Sequence, residues 1–160
     1  GAKLYVTDIR KESIARVVNE LGATAVDPDE IYKIECDVFT PCAMGAVIND
    51  FTVPQLKCRI VAGSANNQLA EPRHGDMTEK GILYIPDFVI NSGGVINVYE
   101  EIKGYDKERA LNRASTIYDS VKRIIEISKR DNIPTYQAAD RMAEERMAKM
   151  AKVNTVYLKK

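Results

Sequence analysis

Four apolar runs in this sequence stop at residues whose side chains can hold a nucleotide or a small polar ligand. KLYVTD closes on Asp8, CDVFT passes into TPCAMG at 40–45, CRIVAG gives way to GSANNQL at 63–69, and ILYIP is followed by PDFVINSGGVINV. In an open α/β sheet, ligands bind in the crevice outside the carboxyl ends of the strands, so these are the positions to examine. An acid such as Asp8 at a strand end accepts hydrogen bonds from ribose hydroxyls and repels a 2′-phosphate, favouring NAD over NADP. Arg10 argues the other way, because a nearby guanidinium accepts a 2′-phosphate. Asp8 as a simple helix cap is the other role open to it. Pro41 stiffens the second strand end, where Ala43 and Gly45 either leave room for a flat ring or make a tight turn. Asn66, Asn67 and Gln68 offer amides for a carboxamide or carboxylate, although Gly, Ser and Asn also make ordinary turns.

Other chemistry is poorly supported. The single histidine, His74, lies in the polar run EPRHGD and reads as a loop residue before a general base. Cys36, Cys42 and Cys58 are an odd set without metal spacing and read as reduced thiols of a cytoplasmic protein, leaving too few ligands for zinc. Lys plus Arg and Asp plus Glu both number 23, so no overall basic field draws the chain to nucleic acid or to an anionic membrane. No apolar run approaches the roughly 20 residues of a membrane helix, and the N-terminus lacks the layout of a secretory signal.

The elements that must carry these residues alternate. KLYVTD (3–8) reads as a strand, and KESIARVVNELG has apolar residues at helical spacing with a stop at Gly22. ATAV is a short strand, after which Asp27 and Pro28 supply a cap and a first-turn proline for a helical turn through Ile31. CDVFT, CRIVAG and ILYIP are further strands; GAVINDFTVPQL between the first two reads as helical, with Pro54 near its end. From Asn91 onward the pattern is helical: NSGGVINVYEEI, KERALNRASTIYDSVKRIIEISKRDN, then TYQAADRMAEERMAKMAKV after Pro134. Met and Ala in the last of these read as a packing stripe. The expectation is a doubly wound α/β domain with a mostly parallel sheet covered on both faces and helices at the C-terminal end. Its boundaries fall at 1–90 for a partial dinucleotide-binding domain and 91–160 for a helical segment packing on it.

TDI at 7–9, PCAMG at 41–45, GSANNQL, EPRHGD, NSGGVINV and IPTYQAADRMAEERM together resemble the amino-acid dehydrogenases acting on glutamate, leucine, phenylalanine or valine. The similarity runs over essentially the whole chain. It implies a Rossmann-like fold, NAD as cofactor, and cofactor contacts at Asp8, Ile9, Cys42, Ala43, Ala65 and Asn67. Asn67 would also touch the substrate, and Val95 and Val98 would line the pocket for its aliphatic side chain; without the resemblance both valines read as core. Asn66 in place of a more usual Asp, and Ser92 in place of Ala, depart from the family pattern.

The dinucleotide fingerprint G-x-G-x-x-G belongs before the second strand of such a fold, and only seven residues precede Asp8. No Gly-Gly-x-Lys occurs either, so the resemblance implies that the two lysines serving carboxylate binding and acid/base work lie upstream, and that this chain carries no catalytic group. In the order 3-2-1-4-5-6 the strands present would be the second to the sixth, with a gap where the first belongs, between the second and fourth. The reaction implied is oxidative deamination of a branched-chain L-amino acid to its 2-oxo acid and ammonia by a homo-oligomer. A non-catalytic nucleotide-binding or assembly module of the same fold is the alternative.

Overall fold

The computed structural model describes residues 1–157, with side chains through residue 152. Its strands form two separate parallel sheets. The first joins β1 (Tyr5–Val6) to β2 (Thr24–Ala25), in register Tyr5 with Thr24 and Val6 with Ala25. Between them runs α1 (Lys11–Leu21), which ends where Gly22 turns left-handed at φ 65° and donates its N–H to Val18 O over 3.0 Å. A residue lacking Cβ adopts that conformation without strain, which is why the helix stops there.

The second sheet has the order β3 (Glu35–Phe39), β4 (Lys57–Val61), β5 (Leu83–Tyr84), all parallel. Val38 pairs with Ile60, Phe39 with Val61, and Val61 in turn with Tyr84. The sheets divide the strands as the expected order does, with β1 and β2 on one side of its gap and β3, β4 and β5 on the other.

Four helices follow: α2 (Asp87–Ile90), α3 (Gly93–Ile102), α4 (Lys107–Asp131) and α5 (Thr135–Tyr157). Asp106 caps α4 by accepting Arg109 N–H at 2.8 Å, and Asn132, left-handed at φ 51°, closes it. Pro134 cannot continue a helix and so sets the start of α5. Thr135 Oγ1 then donates to Tyr84 O at 2.5 Å, fastening the helical end to the sheet. The fold is thus a Rossmann-like α/β arrangement with parallel sheets and C-terminal helices.

Two apolar clusters stabilise it. Ile48, Leu56, Cys58, Val61, Met77, Ile82 and Tyr84 form the core under the three-stranded sheet. Ile124 and Ile127 of α4 meet Ala138 and Ala139 of α5 in the other. Burying each large apolar side chain of this kind contributes about 1.5–3 kcal/mol.

Two expectations need correction. The segment 45–56 is not helical: Ile48 pairs as an isolated parallel bridge with Leu69, and only Val53–Gln55 forms a 3-10 turn. The backbone of Ile48 donates to Gln68 O and accepts from Ala70 N–H, each at 2.9 Å, so its polar groups are already committed across the chain. Asn49 then reverses the direction, its side chain accepting from Phe51 and Thr52 N–H. The Met and Ala stripe of α5 holds only at its start, since Met147 and Met150 are largely exposed beyond the core. His74 does lie in the connection between β4 and β5, in the 3-10 turn Pro72–Gly75, and its side chain is buried there. Among the described residues no helix is long and apolar enough to cross a membrane, and no group of three or more His, Cys, Asp or Glu is placed to hold a metal.

Candidate functional site

The carboxyl ends of β3 and β4 press directly on each other. A Cβ placed on Gly63 would lie 2.1 Å from Pro41 O and 2.5 Å from Pro41 N, a separation that no side-chain adjustment relieves. Glycine is therefore required there for its size. Ala65 N–H donates to Pro41 O over 3.0 Å and Ser64 Oγ approaches Cys42 Sγ to 3.3 Å, so TPCAMG and GSANNQL form one surface. The next contact continues it, with Ala46 N–H donating to Asn67 O over 2.7 Å. Ala46 and Asn67 both adopt left-handed backbone, at φ 62° and φ 51°. Asn tolerates this conformation, whereas for Ala it costs about 1–2 kcal/mol, which the surrounding bonds must offset.

Beneath this surface Gln68 is wholly buried, and its Nε2 donates to Gly63 O at 2.7 Å and Ala65 O at 3.0 Å. The Gln68 N–H is taken by Asp87 Oδ2 at 2.8 Å, which ties the β4 end to the entrance of α2. Burial, with the nearby Asp87 charge behind it, pushes the Tyr84 phenol well above its usual pKa. Asn91 completes the cluster by donating to Asn66 Oδ1 at 2.6 Å. So of the three amides in GSANNQL, Gln68 braces the loop and Asn66 is engaged by Asn91. The side chain of Asn67 is exposed and has no hydrogen-bond partner among the described residues.

Cys42, Ala43, Ala65 and Asn67 are thus brought onto one strand-end surface, with Cys42, Ala43 and Asn67 exposed and Ala65 buried. Asp8 and Ile9 sit elsewhere, at the end of β1. The Asp8 carboxylate accepts Arg10 N–H at 2.8 Å and Arg10 Nε lies 3.9 Å away, an exposed pairing that does not consume both oxygens. Ile9 is 94% exposed, and the neighbouring Thr7 Oγ1 is buried without a partner. Val95 and Val98 lie on α3 with 75% and 56% of their surfaces open, so they are not core valines of this chain.

His74 has a structural post. Its Nδ1 accepts Glu71 N–H at 3.0 Å, which leaves the proton on Nε2 facing Asp50 Oδ1 at 3.1 Å. Arg73 grips the same Asp50 in a two-pronged pair at 2.8 and 2.7 Å. These bonds, first from Arg73 and then from His74, hold the Asp50 carboxyl down at about 2. The cluster joins Asp50, in the middle of the 45–56 segment, to the turn Pro72–Gly75 and extends the pairing that begins at Ala46.

Sequence reasoning missed Asp87, Gln68 as a buried brace, and the ion cluster around Glu100 between α3 and α4. For Asp87 the available signal was an acid directly after the proline that ends the fifth strand, a helix-start pattern.

Residues 2–155 match the family model for glutamate/leucine/phenylalanine/valine dehydrogenase. The chain is 60% identical to leucine dehydrogenase of Geobacillus stearothermophilus over 159 residues, which is 99% of this chain and 43% of that protein. It is 44% identical to phenylalanine dehydrogenase of Bacillus thermotolerans over 163 residues, 98% of this chain and 43% of that one. Among solved structures, L-tryptophan dehydrogenase from Nostoc punctiforme superposes with a TM-score of 0.91 at 45% identity, over 94% of this chain and 46% of its own. The chain therefore spans less than half the length of the relatives it matches.

Proposed function

Because the chain belongs to the glutamate/leucine/phenylalanine/valine dehydrogenase family, we propose that it is the NAD-binding portion of an enzyme that deaminates a leucine-like L-amino acid oxidatively to its 2-oxo acid and ammonia. The observation that carries this reading is the strand-end surface, where the exposed Asn67 carboxamide, without a hydrogen-bond partner among the described residues, shares one surface with the small residues Cys42, Ala43 and Ala65. An exposed amide beyond the carboxyl end of a strand is where an open α/β sheet meets its ligand.

NAD fits the residues present. Asp8 would accept from the adenosine ribose hydroxyls, with Ile9 beside it and the orphaned Thr7 Oγ1 close by in sequence. Cys42, Ala43 and Ala65 would leave space along the dinucleotide, and Asn67 would orient its carboxamide end and the amino acid together. When bound, NAD supplies the acceptor for the hydride leaving the α-carbon. Val95 and Val98, exposed on α3, would cover the aliphatic side chain and exclude water from it. Residues 1–90 then make the dinucleotide-binding part and 91–160 the helical part that packs on it. The acid/base lysines belong, on this reading, outside these 160 residues, and the whole enzyme is a homo-oligomer.

The test uses the full-length enzyme carrying this chain, assayed with leucine and either NAD or NADP. The parent should reduce NAD far better, and Asp8→Ser should narrow the ratio of the two efficiencies. An unchanged ratio would leave Asp8 only its bond to the Arg10 amide.

A further inference from the structure

Glu100 is the one acid among the described residues with no exposed surface at all, and none of the cofactor contacts above involves it. It lies on α3 and is met by two guanidinium groups from α4. Arg109 Nε hydrogen-bonds Glu100 Oε2, and Arg113 Nε stands 2.7 Å from Oε1 as an ion pair without aligned hydrogen-bond geometry. Each arginine is held a second time. Arg109 Nη2 donates to Gly104 O over 2.8 Å in the turn between the helices. The Arg113 guanidinium stacks 4.8 Å from the Tyr99 ring, whose other cationic neighbour, Lys103, is 5.0 Å away. A charge buried this completely is tolerated only when paired, so the cluster permits few alternative arrangements of α3 against α4.

The rotation so fixed has a consequence for the other face of α3. At 100° per residue, Val95, Val98 and Ile102 fall within one narrow sector, and Glu100 lies on the opposite side. The structure agrees, with 75%, 56% and 80% of those three apolar residues exposed while Glu100 is sealed against α4. Apolar contact on this side is slight among the described residues, where Ile96, next to Glu100 on the wheel, is only half-buried. Neither apolar cluster includes a residue of α3, and Ala110 is the sole buried apolar side chain on the facing part of α4. Apolar contacts slide more readily than a two-pronged ion cluster, whose geometry is directional.

We propose that Glu100 is a positioning residue for amino-acid selectivity: by pairing with Arg109 and Arg113 it sets the rotation of α3 and hence the place of Val95 and Val98 over the substrate. The inference rests on the assignment of those valines to the substrate pocket. It adds that the selectivity of the pocket is set from behind, by a residue that touches no substrate.

The experiment uses the full-length enzyme with Glu100→Gln, which keeps the shape and removes the charge, and Arg113→Met, which keeps the stem and is milder because Arg109 still pairs. Each is assayed with leucine, valine and NAD. Glu100→Gln should raise the leucine KM about tenfold and lower the leucine-to-valine efficiency ratio by several fold, as expected for a pocket wall out of place. The NAD KM should stay within about twofold, and Arg113→Met should move the same quantities in the same direction by less. Restoring a carboxylate one methylene shorter, with Glu100→Asp, should recover part of the ratio. Loss of leucine and NAD affinity in equal measure would overturn the proposal and mark the cluster as general support. If Glu100→Gln does not fold, Arg113→Met decides alone, and an unchanged ratio overturns it. Val98→Ala separates the two readings. If it alters selectivity while the cluster variants do not, the pocket stands and the positioning role falls. If Val98→Ala has no effect either, the pocket assignment itself has failed.

Discussion

The β1–β2 pair and the β3–β4–β5 sheet carry the two ends of one proposed ligand, yet among the described residues they are packed differently. In the first, each strand is two residues long, α1 buries none of its side chains, and Ala23 is the lone buried apolar residue. In the second, β3 and β4 have five residues each, the core beneath includes Ile48 and Val61 with no exposed surface, and the strand ends are bonded to one another. Asp8 is the product of the first region and Asn67 of the second. Holding a ribose tolerates a lightly packed support, because two hydroxyls can meet a carboxylate from several directions. A carboxamide that must orient a reacting ring does not, since small misplacements there are costly. Among the described residues packing is concentrated beneath the Asn67 surface, and the expected strand order leaves β1 beside the gap where a further strand would pair.

The contrast is broken most severely at the glycines. Gly63→Ala should destabilise by about 3 kcal/mol or more, because the new methyl meets the Pro41 backbone and neither loop can withdraw. Gly22→Ala in the loose region meets nothing within 4 Å and should cost only the left-handed penalty of about 1–2 kcal/mol. Thermal unfolding of both variants checks the pair, and equal losses would erase the distinction between the regions.

A smaller effect is expected on the exposed face of α3. Val95→Leu should penalise leucine relative to valine by about 1–3 kcal/mol in efficiency, the scale of a methylene misfit. Equal losses for both substrates, read from steady-state rates, would remove Val95 from the pocket.

The smallest effect concerns pH. The Asp50 carboxyl is held at about 2 in the folded chain, against roughly 3.9 in an unfolded one. A depressed folded pKa contributes stability that is complete above the unfolded value and disappears as pH falls through the folded one. The stability difference between parent and Asp50→Asn should accordingly be constant near neutrality and shrink between about pH 4 and pH 2. Denaturant titrations across that window check it, and a difference independent of pH would mean that the ties from Arg73 and His74 contribute nothing. Asp50 is highly exposed, so the difference should be modest throughout.

The sequence makes the alternation of elements readable because Gly22, Asn132 and Pro134 punctuate it with residues whose backbone preferences are strong. The strand-end motifs are readable for the same reason, as polar residues breaking β-branched runs. The 45–56 segment was not, since its apolar spacing fits a helix and only the distant partners of Ile48 show that its backbone is spoken for. Val95 and Val98 look like core residues until their exposure is seen. Glu100 is hidden in a different way: in the run NVYEEI nothing separates it from Glu101, and only the arginines on the next helix make one acid buried and the other open.

The central claim is that the β3 and β4 ends place Asn67 to orient a nicotinamide and an amino acid. Leucine-dependent NADH formation by full-length enzyme carrying Asn67→Gly tests it most directly, because glycine keeps the φ of 51° while removing the carboxamide. Neighbouring Asn66→Ala serves as the control. The account predicts that Asn67→Gly loses at least about 100-fold in kcat/KM without a lower unfolding temperature, and that Asn66→Ala loses less than about tenfold. Activity of Asn67→Gly within about threefold of the parent would contradict it, since the removal of one orienting contact at a reacting centre costs far more than that.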